Sequence, residues 1–172
     1  QVWHRGAGAT ARRPIAVSAH MDHPALEVTG VAPLRGRLLG SIRPESFADP
    51  VPVRFFWRGD AGWQEADGAV IGASPLDGDP DARVALSLES SEDVPTGAFG
   101  TFDFGPVRWD PDGRLHLTAC DDLAGCAITL AWLAQCVRDG IHADSGGVFT
   151  RAEEIGLVGA AALASRRGLP ED

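Results

Sequence analysis

The sequence predicts an α/β fold, a sheet packed with helices, interrupted by an inserted all-β segment. Three observations carry that prediction. Two short apolar runs near the ends, Ile15-Ala16-Val17-Ser18 and Gly147-Val148-Phe149-Thr150, read as buried parallel strands. A stretch of helical periodicity precedes the second run and another follows it, an alternation typical of α/β folds. Between the two runs the chain becomes a series of short β-prone stretches divided by Gly, Pro and Asp clusters, which reads as a small barrel or sandwich.

Residues 14–19 form the first expected strand. In the middle, strands are expected at 35–42, 51–57, 69–71, 83–88, 101–104 and 114–118, the last leading back into the α/β sheet. Pro75-Leu76-Asp77-Gly78-Asp79-Pro80 and Asp110-Pro111-Asp112-Gly113 are the clearest turns. A helix is expected over 123–138, because Cys126, Leu130, Leu133, Ala134 and Val137 recur at helical spacing. Asp121 or Asp122 is placed to cap it, and Gly140 stands just past its end. A strand at 147–151 and a helix at 156–167 complete the reading. The implied division is 1–31 and 112–172 for two parts of one α/β domain, with 32–111 as the inserted β domain.

The 172 residues carry a formal net charge of −9, with 15 scattered basic residues. This excludes a nucleic-acid partner, since phosphate binding draws on clustered Lys and Arg. No apolar stretch approaches the roughly 18–20 residues needed to span a bilayer, so no membrane partner is expected. The amino terminus lacks the layout of a secretory signal and begins without Met, so the chain is expected to start inside a larger protein or to follow processing. Cys126 and Cys136 are ten residues apart on the expected helix, about 15 Å along its axis, beyond disulfide reach. Reduced thiols and a cytoplasmic location follow.

Three clusters end or follow apolar runs: Ala19-His20-Met21-Asp22, Cys120-Asp121-Asp122, and Ala152-Glu153-Glu154-Ile155-Gly156. In open α/β sheets ligands gather beyond the carboxyl ends of the strands. One imidazole and several carboxylates there make a nitrogen and oxygen donor set suited to zinc, cobalt or manganese. Asp22, two residues past His20, is placed to orient a metal-binding imidazole. Of the adjacent Glu153 and Glu154, one can bind metal while the other takes a proton from water. Taken singly, each cluster also has a plain reading: a hydrogen-bonded His–Asp pair, an acidic helix cap, and an acidic first turn facing a helix dipole.

In combination, the segments AHMDH, CDDLAG and TRAEEIGLVGA resemble the metal-site motifs of the co-catalytic dizinc aminopeptidases. The nearest likeness is to the glutamyl and deblocking aminopeptidases, some once classed as endoglucanases. The resemblance covers roughly 14–31 and 115–167. It implies a metallopeptidase sheet of the phosphorylase/hydrolase-like kind interrupted by a small β-barrel. It further implies two divalent metal ions, with His20 and Glu154 each a ligand, Asp121 bridging, and Asp22 orienting His20. Glu153 would be the general base, and a cis peptide would join Asp121 to Asp122. The implied substrate is a short peptide cut at its amino terminus, and the implied partner is a second copy of the chain through the β domain.

The family pattern needs two further ligands, a carboxylate a little over twenty residues past the Glu pair and a distant His. The chain ends at Asp172, eighteen residues past Glu154. It is therefore expected to be inactive alone, either a fragment of a protein about twice as long or a degenerate relative. Neither Asp172 nor His142 fits the missing positions. His23 and Leu123 stand where relatives commonly carry Glu and Arg, which bears on substrate choice. The alternatives are a deacylase or carboxypeptidase on the same metal core, and a non-catalytic assembly or binding module. A magnesium-dependent phosphate hydrolase leaves His20 without a role.

Overall fold

A computed structural model describes residues 2–4, 15–76, 84–140 and 145–166. His142, Asp172 and the 168–172 turn lie outside them. In chain order the first elements are β1 (Val2–His4), β2 (Ile15–His20), β3 (Ala25–Val31) and β4 (Leu34–Leu39). A short 3-10 turn at Pro44–Phe47 leads to β5 (Val51–Gly59), β6 (Gly62–Pro75), β7 (Val84–Ser90) and β8 (Phe99–Phe102). Then come β9 (Arg108–Trp109), β10 (Leu115–His116), α1 (Cys120–Arg138), β11 (Ser145–Thr150) and α2 (Val158–Ser165).

The chain divides into two compact units. The first combines Gln1–His23 with Ala119–Asp172, and the second is Pro24–Thr118. These limits differ from 32–111 because β3 pairs with β4 and β8 and so belongs to the β unit. Strands β9 and β10 also stay in that unit, where they pair with each other as a two-stranded hairpin. The strand expected at 114–118 therefore does not lead back into the α/β sheet.

The first unit carries a three-stranded sheet in the order β1-β11-β2. Strands β11 and β2 are parallel in a register that sets Thr150 opposite His20, whereas β1 runs antiparallel to β11. Helix α1 packs on β2, β11 and β1, burying Cys126, Thr129, Leu133 and Cys136. These four recur at intervals of three and four residues, so they share one helical face. With 19 residues and a mean hydropathy of 1.2, α1 is long and apolar enough by length and composition to cross a bilayer. The expectation that no such stretch exists fails there, because Thr129, Gln135 and Gly125 break the apolar run in sequence but leave its average high. A helix laid on a sheet meets the same two criteria, and that is how α1 sits.

The second unit is a closed six-stranded barrel, β3-β4-β7-β6-β5-β8. Its interior follows strand alternation: Leu26 and Val28 on β3, Val53 and Phe55 on β5, and Leu86 and Leu88 on β7 are all buried. Phe55 is wholly buried, while Trp57 is partly buried against the same core. Phe56 points elsewhere and stacks on Phe99 at 5.6 Å, with the exposed Trp63 edge-on to Phe99 at 6.0 Å.

Candidate metal centre

The carboxyl ends of β2 and β11 lie side by side because the two strands are parallel and in register. That pairing places His20, the last residue of β2, opposite Thr150, the last of β11. The Met21 N–H extends the ladder by donating to the Thr150 carbonyl at 2.9 Å. Just beyond, the chain after β11 turns sharply. Ala152 adopts a left-handed φ of 60° and Leu157 one of 58°, conformations costly for residues with a Cβ. Such strain collects where the surrounding structure fixes side chains for function.

Between these two residues the backbone curls into the start of α2. The N–H groups of Gly156 and Leu157 donate to the Glu153 carbonyl at 3.0 and 2.9 Å, and that of Gly159 to the Arg151 carbonyl at 3.0 Å. A side chain at position 159 would overlap the Arg151 backbone, so only glycine permits this closure. The motif running from Thr150 to Gly159 is thus one folded unit that aims Glu153 and Glu154 at the strand ends.

His20, Glu153 and Glu154 converge, each offering a ligand atom within 4.8 Å of the others. His20 Nε2 lies 3.0 Å from Asp121 Oδ1 and 3.8 Å from Glu153 Oε2. Asp121 comes from the start of α1, where the Asp121–Asp122 peptide is cis and neither residue has helical torsions. The other ring nitrogen, Nδ1, is 2.8 Å from the main-chain oxygen of Asp22 and 3.8 Å from its carboxylate Oδ1. Asp22 thus meets the ring chiefly through its carbonyl. Its carboxylate turns to the Glu pair, where Oδ2 accepts the Glu154 N–H at 3.3 Å.

The titration behaviour follows from this crowding. Burial opposes the charged imidazole of His20. The Asp22 carbonyl, the Asp121 hydrogen bond and the charges of Glu153 and Asp121 outweigh it, and its pKa is raised. Burial also opposes the Asp22 carboxylate, but main-chain N–H donors of Glu153, Glu154 and Asp22 itself, with the His20 charge, hold its pKa down. The Glu154 pKa is raised, first by burial and then by the charge of Glu153, with Asp121 and Asp22 adding and His20 opposing.

Two features suit this donor set to a divalent cation. The charges of Glu153, Asp121 and Asp22 oppose ionisation of Glu154, a cost that a cation relieves. Among the described residues, Asp22 Oδ1 is also a buried oxygen without a hydrogen-bond partner. The three converging donors lie within 4.8 Å of one another, and zinc bonds of roughly 2.0–2.2 Å would draw them closer together.

Asp122, read in sequence as a candidate cap and as the cis-peptide partner of Asp121, does accept the Gly125 N–H through Oδ1 at 3.1 Å, and in addition its Oδ2 accepts the His20 N–H at 3.2 Å. Sequence offered one signal for this, a glycine three residues later at the foot of an apolar helix. His116 is engaged within the β unit, with Nε2 2.7 Å from Asp110 Oδ2. An apolar cavity of about 460 Å³ adjoins His20 and Glu153, lined in part by Ala16, Val148, Leu157 and Leu163.

A family model described as M42 glutamyl aminopeptidase matches residues 81–168. Among solved structures, the chain is similar to the TET1 peptidase of Pyrococcus horikoshii, described as able to assemble into a tetrahedron or a large octahedral shell. That match has a TM-score of 0.65 and 22% identity over 95% of this chain and 55% of the other. It is similar also to an aminopeptidase from the archaeon Desulfurococcus kamchatkensis, with a TM-score of 0.67 and 21% identity over 96% of this chain and 47% of the other. These likenesses establish a shared fold, and the chain spans about half the length of each structure. A comparison with curated proteins gives no match.

Proposed function

The chain belongs to the M42 glutamyl aminopeptidase family, and from that premise we propose that it forms part of a metal-dependent peptidase releasing amino-terminal residues from short peptides. The observation that carries this reading is the convergence of the His20, Glu153 and Glu154 donor atoms within 4.8 Å, with Asp121 Oδ1 3.0 Å from His20 Nε2. His20, Asp121 and Glu154 would hold metal, with Asp121 shared between two divalent ions of zinc, cobalt or manganese. When bound, such ions supply Lewis acidity at a peptide carbonyl and lower the pKa of water.

The chain's own groups do the rest. The Asp22 carbonyl accepts a hydrogen bond from His20 Nδ1–H, which leaves the Nε2 lone pair facing the carboxylates and able to bind a metal. Glu153 takes the proton of the attacking water and later returns it to the departing amine. Main-chain bonding from Glu154 to Asp22 keeps the two acidic segments in fixed relation while this happens. The β barrel would join copies of the chain, with the exposed Trp63 and the Phe56–Phe99 stack as its contact aromatics. Free Cys120, Cys126 and Cys136 support a cytoplasmic setting.

The test is hydrolysis of amino-terminally free dipeptides and tripeptides by the full-length protein, before and after chelation and with zinc, cobalt or manganese restored. Metal-dependent release of the first residue supports the reading. Lack of any metal binding by the full-length protein would favour an assembly module. Cleavage confined to acylated peptides would favour a deacylase.

A further inference from the structure

Asp122 has no task in the reaction just described, yet among the carboxylates near the cluster it is the one bonded to the His20 main chain. Its Oδ2 accepts the His20 N–H at 3.2 Å, and its Oδ1 accepts the Gly125 N–H at 3.1 Å. The next residue, Cys126, donates its thiol to the His20 carbonyl at 3.2 Å. Both polar main-chain groups of His20 are therefore held from the first turn of α1.

The strand geometry explains why this matters. The Met21 N–H points to β11, where it meets Thr150. Successive residues of a strand direct their main-chain groups to opposite sides, so those of His20 face away from β11. Among the described residues, strand β2 is an edge of its three-stranded sheet, and unpaired edge groups need other partners. Asp122 and Cys126 take the place of a neighbouring strand at this one residue. Gly125 is part of the fit: a Cβ there would overlap Asp122 Oδ1 and come within 2.7 Å of its Cγ.

We infer that Asp122 is a positioning residue that seats His20 for metal binding by clamping its main chain, with Gly125 and Cys126 completing the clamp. The inference rests on the metal reading above. A carboxylate accepts from both N–H groups at once. An amide accepts with one oxygen and turns an NH₂ toward the other donor, so Asp122→Asn keeps the shape and loses half the clamp.

The experiment measures two quantities on the full-length protein and on Asp122→Ala, Asp122→Asn and Gly125→Ala. Zinc affinity is read by competition with a chromophoric chelator. The His20 amide is read by NMR chemical shift and hydrogen exchange in metal-free protein. Asp122→Ala should weaken zinc binding about 10–100-fold, the usual effect of removing a partner that orients a ligand, and should speed His20 amide exchange. Asp122→Asn should fall between, and it decides the matter if the alanine variant does not fold. Gly125→Ala should act through the carboxylate, so adding it to Asp122→Ala should cause no further loss.

In a His20→Ala background, Asp122→Ala should change zinc affinity by no more than about twofold. An equal loss with and without His20 would overturn the inference, as would an unmoved His20 amide in Asp122→Ala. A wild-type protein without zinc affinity would defeat the metal reading, while the amide measurement would still decide whether Asp122 seats His20.

Discussion

His20 Nε2 lies 3.0 Å from Asp121 Oδ1, a carboxylate 101 positions further along the chain. The imidazole is largely enclosed, with 13% of its side chain accessible, whereas Asp121 is 88% accessible. The pair therefore has an enclosed half and a solvent-facing half. His20→Ala removes a direct donor and should weaken zinc binding by more than the roughly 10–100-fold typical of an orienting partner. Asp121→Asn should have its larger effect on the second metal equivalent, since a shared ligand matters most when both ions are present. Calorimetric titration of both variants separates the two outcomes.

Glu153 and Glu154 are adjacent yet are expected to fail differently. Glu153→Gln keeps the shape and removes the base, so turnover should fall about 10²–10⁴-fold with metal content near normal. Glu154→Gln should lose metal first, and activity only as a consequence. Peptide hydrolysis rates combined with elemental analysis make the comparison. If Glu153→Gln loses its metal and recovers turnover when metal is resupplied, the two roles are exchanged.

The raised pKa of His20 gives a pH dependence with a definite sign. In metal-free protein the imidazole holds its proton to higher pH than the ordinary 6.5, and metal must displace that proton. Zinc affinity should therefore climb with pH through the folded-state value and level off above it. The same shift means that His20 stabilises the metal-free fold fully below pH 6.5, and that this support is lost as pH rises through the raised value. Asp22 acts in the opposite range. Its lowered pKa contributes stability above its ordinary 3.8, and that contribution disappears as pH falls through the lower folded value. Thermal melts in chelator across pH 3–9, with and without His20→Ala, read both windows. A melting temperature in the His20→Ala variant with unchanged dependence above pH 6.5 would contradict the assignment.

The barrel aromatics should separate into stability and association. Phe55 is wholly buried, and Phe55→Ala should cost about 3–5 kcal/mol. Trp63 is 66% exposed, so Trp63→Ala should change stability by no more than about 0.5 kcal/mol while reducing self-association. Denaturant unfolding and light scattering measure the two effects, and an unaltered particle mass would remove Trp63 from the proposed contact.

The elements carrying strong local patterns were readable from sequence. Strands β2 and β11 are apolar runs, although Ile15 and Val17 of β2 are exposed. Helix α1 was also readable, but its face was not: Cys126 and Leu133 are buried as expected, Thr129 and Cys136 complete the face, and Leu130, Ala134 and Val137 are exposed. Strand β6, with 14 residues, was visible only at 69–71. Its outward residues Gln64, Glu65 and Asp67 and its glycines have weak strand preference, and barrel pairing overrides them. No strand was read over 25–31, and those residues were placed with the α/β domain; the pairing of β3 with β4 and β8, which puts them in the β unit, is not written in their own sequence. At the site, residue types and order identified His20, Asp121, Glu153 and Glu154 as candidates, and the fold gathers them. The task of Asp122 was not legible, since it depends on a contact 102 residues away. Nor were the left-handed Ala152 and Leu157, whose residue types favour no such turn.

The parallel pairing of β2 with β11 also sets the order of events during synthesis. His20 leaves the ribosome early, and Glu153 follows 133 residues later (153 − 20). At about 5–20 residues per second, that interval is on the order of ten seconds. Meanwhile the contiguous barrel segment Pro24–Thr118 is complete, whereas the donor set is not. The donor set is thus completed late, only once β11 has paired with β2. Nascent chains arrested before β11 should protect barrel amides from exchange and take up no zinc, and release of the arrest should bring zinc uptake together with protection of the β2–β11 ladder.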